Sequence, residues 1–262
     1  MIVSYNGISS EVFPNMHTFI DNKNNKRNTE IEVFAIRIDP KKVAVILGFI
    51  VITFTFVNIA IQTAKFVYSH PFIYGLAPFF DLDKEANMPT YFSSILLLFS
   101  AFLLGIIAAL IKKENKPYAY HWALLSIVFV YLSIDEAVCI HELWIQPMQT
   151  IFAAKGVFHF AWIIPGSAAI LVLAALFCKF LFHLLPKSRL LFMIAAMFYL
   201  GGALGCEMIG GWFVSQFSME TFAYNMIATI EETFEMIGIV IFIYALLEYM
   251  QDHLKEIRLQ IK

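Results

Sequence analysis

The chain has 262 residues and a mass of 29.9 kDa, is 60% hydrophobic and 15% charged, and has a mean hydropathy of +0.73. A soluble domain carries about 45–50% apolar and about 25% charged residues, so this excess is more than one buried core absorbs and marks an integral membrane protein. A net charge of −2 excludes an overall basic field for nucleic acid, and three cysteines exclude a disulfide framework or a four-thiolate zinc site.

Residues 1–42 are polar and include Asp21-Asn-Lys-Asn-Asn-Lys-Arg-Asn-Thr-Glu30, which predicts a flexible N-terminal segment and no cleavable signal peptide. Residues 43–249 form the transmembrane domain. Six apolar stretches there reach the roughly 20 residues a helix needs to cross a bilayer: Val43 to Val67, Tyr91 to Ile111, Trp122 to Ile145, Phe158 to Phe182, Leu190 to Val214 and Tyr224 to Tyr249. Their continuous apolar character excludes a membrane barrel, whose strands alternate in polarity. The expected fold is an all-α, six-span bundle. Residues 250–262 predict a solvated helical extension.

Fifteen of the 18 basic residues fall before span one, between spans two and three, between spans four and five, or after span six. Only Lys65, Lys84 and Lys155 lie on the other side, so the positive-inside rule places both termini in the cytoplasm. The long outer loop, Ser69 to Thr90, reads as an aromatic anchor belt outside the site.

Ionisable residues inside the spans carry the functional signal, because each costs about 2.5–3.5 kcal/mol near the bilayer centre. Span one holds Thr55, Asn58, Gln62 and Lys65 on one helix face. Span three holds Ser133-Ile-Asp135-Glu136-Ala-Val-Cys139-Ile-His141-Glu142, span four opens at His159, span five holds Glu207, and span six holds Thr229-Ile-Glu231-Glu232-Thr-Phe-Glu235. Counted at 1.5 Å per residue, Glu207 and Glu231 both fall roughly 10 Å below the outer surface, and Gln62 and the Asp135 to Glu142 stretch share that outer half. On an ideal helix Asp135, Cys139 and Glu142 share one face. Glu231 and Glu235 share another, while Glu136 and His141 point elsewhere unless the helix is distorted.

Seven carboxylates therefore share a layer with Lys65, His141 and His159 as the cationic partners. In a low dielectric they either hold protons or surround metal cations. Carboxylates with histidine from facing helices suit iron, manganese or zinc. Asp135, His141, Glu142, Glu207, Glu231 and Glu235 are the expected ligands of one or two divalent ions, with Glu232 or Glu136 as general base. Asn58, Gln62, Lys65, His159 and Cys139 support or give access to them. Such a site would make the chain a metal-dependent hydrolase or oxidoreductase, acting on a lipid or another membrane-soluble substrate from the outer side. No Glu-x-x-His pair occurs in the cluster, and H-E-x-x-H is absent, which leaves the metal and its nuclearity open.

Two other readings stand beside this one. A proton- or divalent-cation-coupled transporter would also use an acidic intramembrane cluster, although the charge-free inner half offers no continuing relay. A sensor or assembly partner stabilised by a cation is the third. None of the three implies nucleic acid as a partner, and oligomeric state is open.

The string Leu132-Ser-Ile-Asp-Glu-Ala-Val-Cys-Ile-His-Glu142, together with Glu85-Ala-Asn-Met-Pro-Thr90 and Ile230-Glu-Glu232, resembles a group of bacterial polytopic membrane proteins. The resemblance implies a bacterial inner-membrane location. It carries over no activity and no catalytic residue.

Overall fold

The computed structural model describes residues 38–70 and 73–253, so the expected flexible tail up to residue 37 and the end of the C-terminal extension, 254–262, lie outside the described residues. Asp39 starts the first helix, its carboxylate accepting from the Lys41 and Lys42 backbone N–H groups with Pro40 in the first turn. This helix, α1, spans Pro40–Phe66. A short helix α2 (Ala77–Phe80) and a loop lead to α3 (Met88–Lys113), where Asn87 caps the Thr90 N–H at 3.0 Å ahead of Pro89. The chain continues through α4 (Ala119–Val138), α5 (Ile145–Phe152), α6 (Ile163–His183), α7 (Pro186–Leu200), α8 (Glu207–Val214) and α9 (Phe222–His253).

Among the described residues five helical stretches are long and apolar enough to cross a membrane: Pro40–Phe66, Met88–Lys113, Ala119–Val138, Ile163–His183 and Pro186–Val214. The protein is all-helical in its described part, with the architecture of a multi-pass membrane protein. Large apolar side chains such as Phe49, Phe56, Ile127 and Leu171 are more than 60% exposed, as hydrocarbon-facing residues should be.

Helices α3 and α9 form the centre, with Leu97, Leu104 and Ile107 of α3 and Met236, Ile243 and Leu246 of α9 fully buried. At one end of the bundle Trp122 of α4 is 1% exposed and packs its ring on Phe180 of α6, Phe192 of α7 and Tyr249 of α9, at centroid distances of 5.0, 5.9 and 4.8 Å. Four helices are tied at that end by aromatic contact. At the other end the interior is polar.

One expected span is shorter than its apolar run. The third does not continue to Ile145, because α4 ends at Val138 and Cys139 adopts the left-handed conformation, φ 53° and ψ 47°. A 3-10 turn, His141–Trp144, follows. The cause is local: the Asp135 carboxylate takes the His141 backbone N–H at 2.8 Å and so competes with helix continuation.

Candidate functional site

Two hydroxyls fix the acidic segments. Ser133, 5% exposed, exchanges hydrogen bonds with Ser94, each hydroxyl reaching the other residue's backbone carbonyl at 2.8 Å, which pins α4 to α3. Thr229, 3% exposed, accepts from Asn58 Nδ2 at 2.8 Å and pins α9 to α1. In each segment the acid pair follows two residues later, Asp135-Glu136 and Glu231-Glu232. Packing thus sets their depth.

The turn at Cys139 brings His141 back onto Asp135. Its Nδ1 meets Asp135 Oδ2 at 2.9 Å, while Nε2 has no hydrogen-bond partner among the described residues. The ring lies 4.8 Å from the Trp162 ring, and Trp162 Nε1 donates to Glu207 Oε1 at 3.0 Å. The Glu207 and Glu231 carboxyls lie within hydrogen-bonding reach of each other, a gap that two ionised carboxylates, which only accept, cannot bond across without a shared proton or a cation. Asp135, His141, Trp162, Glu207 and Glu231 therefore form one connected row from α4, the start of α6, α8 and α9.

Glu207 owes its placement to a break in helical regularity. Gly201–Cys206 is a π-helical segment between α7 and α8, the kind of local distortion often found at functional sites. Within it Gly202 presses on α9: a Cβ there would stand 2.7 Å from the Glu231 carbonyl oxygen and 2.8 Å from Glu235 Cγ. Gly238 of α9 similarly abuts the Tyr199 N–H and the Ala195 carbonyl of α7. The absence of side chains at these two positions lets the backbones meet.

Behind this row lies a second acidic group. Glu136, Glu232 and Glu235 sit within electrostatic range of one another, with Tyr199 beside them. All three carboxylates are half-buried.

The other expected residues are placed differently. The face shared by Asp135, Cys139 and Glu142 does not form, because it required an unbroken helix, and Glu142 is exposed in the 3-10 turn. Asn58 and Gln62 face the loop before α3: Gln62 Nε2 donates to Asp81 Oδ1 at 2.7 Å and to Asn58 Oδ1 at 3.2 Å, and Asn58 Oδ1 also accepts the Leu82 N–H at 3.2 Å. Lys65 lies over the Phe66 ring at 4.9 Å. His159 packs its Cβ against Gly211 of α8, 3.3 Å from where a Cβ on that glycine would stand, and its ring packs edge-on against Phe160 at 5.1 Å.

Two residues were missed by sequence reasoning. Trp162 is an uncharged residue of an apolar run and carries no local signal, and its bond to Glu207 needs the tertiary fold. Glu85 belongs to the loop that reads as an anchor belt outside the site, but its carboxylate comes within hydrogen-bonding reach of the Cys139 thiol and lies near Glu136, His141, Asp135 and Glu142. The motif Glu85-Ala-Asn-Met-Pro-Thr90 was its only signal.

Among the described residues no three His, Cys, Asp or Glu side chains stand close enough to hold one metal ion as they are placed. What the arrangement offers directly is an oriented imidazole and, beside it, two carboxyl groups in close approach.

The family described as a domain of unknown function, DUF8692, matches residues 43–249. The chain belongs to this family. The matched stretch contains every residue of the site and runs from the first of the five apolar helices through most of α9, while no curated protein and no solved structure matches the chain.

Proposed function

We propose that this DUF8692 protein is a membrane-embedded, metal-dependent enzyme that acts on a lipid or other membrane-soluble substrate. The observation that carries this reading is the Asp135–His141 pair. A carboxylate on Nδ1 fixes the imidazole tautomer and orientation and leaves Nε2 for a metal ion, the arrangement common around metal-ligating histidines. On this reading His141, Glu207 and Glu231 are the first ligands, Asp135 is the orienting group, and the borderline metals iron, manganese or zinc suit the donor set. Binding requires both carboxyls of the Glu207–Glu231 pair to be ionised and the side chains to close around the ion. Glu232 or Glu136 serves as general base from the neighbouring acidic group.

The same proposal takes α9 as a sixth span, with both termini cytoplasmic and the site on the outer side of a bacterial inner membrane. The distribution of lysine and arginine supports this orientation.

A second reading, proton- or cation-coupled transport, is favoured by one observation: the Glu207 and Glu231 carboxyls approach closely enough to share a proton in place of a cation. A cation-stabilised sensor is the third.

Elemental analysis of protein purified in mild detergent separates them. The enzyme reading expects one or two equivalents of iron, manganese or zinc in the wild type and none in a Glu207→Gln, Glu231→Gln double variant. A folded wild type that neither carries nor takes up these metals overturns it, and proton flux in proteoliposomes then tests transport.

A further inference from the structure

The loop between α2 and α3 is held by a buried polar assembly that the row of site residues does not use. Asp81 is 4% exposed, Gln62 and Asn58 are 0% exposed, and Asn87 is 7% exposed. Gln62 reaches Asp81 Oδ1, Asn58 takes the Leu82 N–H, and Asn87 Nδ2 donates to the Asp81 carbonyl at 2.6 Å. Between these anchors Asp83, Lys84, Glu85 and Ala86 are exposed, and Ala86 adopts φ 56°, which turns the chain back toward Asn87. A stem fixed on α1 thus presents a short tip whose acid, Glu85, comes against the Cys139 thiol at the α4 break.

Burying four polar side chains in this way is costly unless they are hydrogen-bonded, and the bonds they make specify one loop position even though Gln62 Oε1 is left without a partner among the described residues. It also explains the polar stripe on α1, where Asn58 and Gln62 are used to grip the loop and α9 and make no contact with the site carboxylates.

We infer that Glu85 is a further residue of the site, covering the turn at Cys139 and His141, and that Gln62 and Asp81 are positioning residues that hold it there. The inference deepens the proposed function by adding a carboxylate from a fifth segment at the mouth of the site.

The test is the accessibility of Cys139. With Cys178→Ala and Cys206→Ala leaving Cys139 as the sole cysteine, alkylation by a neutral, water-soluble maleimide is followed in detergent-purified protein, with the melting temperature measured alongside. Glu85→Ala, on an exposed loop tip, should raise the labelling rate at least about threefold with an unchanged melting temperature. Gln62→Leu, which leaves Glu85 and its charge in place, should raise it similarly by freeing the stem. Lys84→Ala, on the same tip, should leave it unchanged. Equal rates in Glu85→Ala and the parent overturn the covering role, and a Glu85→Ala effect that Gln62→Leu does not reproduce in folded protein overturns the positioning role. Neither readout needs a bound metal or turnover, so failure here and failure of the enzyme reading are told apart.

Discussion

Asp135 grips His141 with both carboxylate oxygens, Oδ1 on its backbone N–H at 2.8 Å and Oδ2 on its ring Nδ1 at 2.9 Å. One side chain therefore ends a membrane helix and fixes an imidazole. Asp135→Asn can keep only part of this, because its side chain has one accepting oxygen and a donor-only NH2 where Asp135 uses two oxygens. We expect apparent metal affinity to fall about 10–100-fold, the usual effect of losing a partner that orients a ligating histidine. Calorimetric titration with zinc or manganese on wild type and variant measures the difference.

The Glu207–Glu231 contact predicts a protonated carboxyl group at neutral pH. Infrared spectra of the reconstituted protein should show a carboxylic-acid carbonyl band that Glu207→Gln and Glu231→Gln each abolish. Persistence of the full band in both variants would assign the proton elsewhere. Since glutamine can still hydrogen-bond across this gap, both variants should fold.

Gly202 and Gly205 lie three residues apart in the same π-helical segment, yet they predict opposite outcomes. Gly202→Ala drives a Cβ to 2.7 Å from the Glu231 carbonyl oxygen, and overpacking of this kind costs about 1–3 kcal/mol. Gly205 has nothing within 4 Å of the same position, so Gly205→Ala should be neutral or stabilising by up to about 1 kcal/mol. Thermal unfolding in detergent ranks the two.

Asn58→Ala removes the acceptor of the buried Leu82 N–H and one of the two acceptors of Gln62 Nε2. An orphaned buried donor costs about 1–3 kcal/mol. Asn58→Ala should lower thermal stability by that order and loosen the loop, read as faster amide exchange at Leu82.

Asp83 supplies a pH signature outside the spans. Desolvation first, and the adjacent Asp81 carboxylate second, raise its pKa from 3.8 to about 6. The folded state then binds more proton than the unfolded chain between roughly pH 4 and 6. The penalty of holding Asp83 charged is present above about pH 6 and relieved as pH falls toward 4. Asp83→Asn should therefore raise the melting temperature at pH 7.5 and change it little at pH 4.

Hydropathy was legible without coordinates because a bilayer imposes it residue by residue: runs near Val43, Tyr91, Phe158 and Leu190 each became apolar helices of about the expected extent. The acidic segments stand out in the sequence for the same reason, since intramembrane charge is expensive and draws attention wherever it occurs. Helical phase was reliable only where the helix continued. It failed at Cys139, where a side chain bonding to backbone six residues away outcompeted the helix, and it could not show the π-helical segment before Glu207. The partners of Glu207, Glu85 and Asn58 depend on contacts between residues 45, 54 and 171 positions apart. Local sequence carries no record of such contacts, because close approach at Gly202 and Gly238, and the pins at Ser133 and Thr229, exist only once the helices have packed.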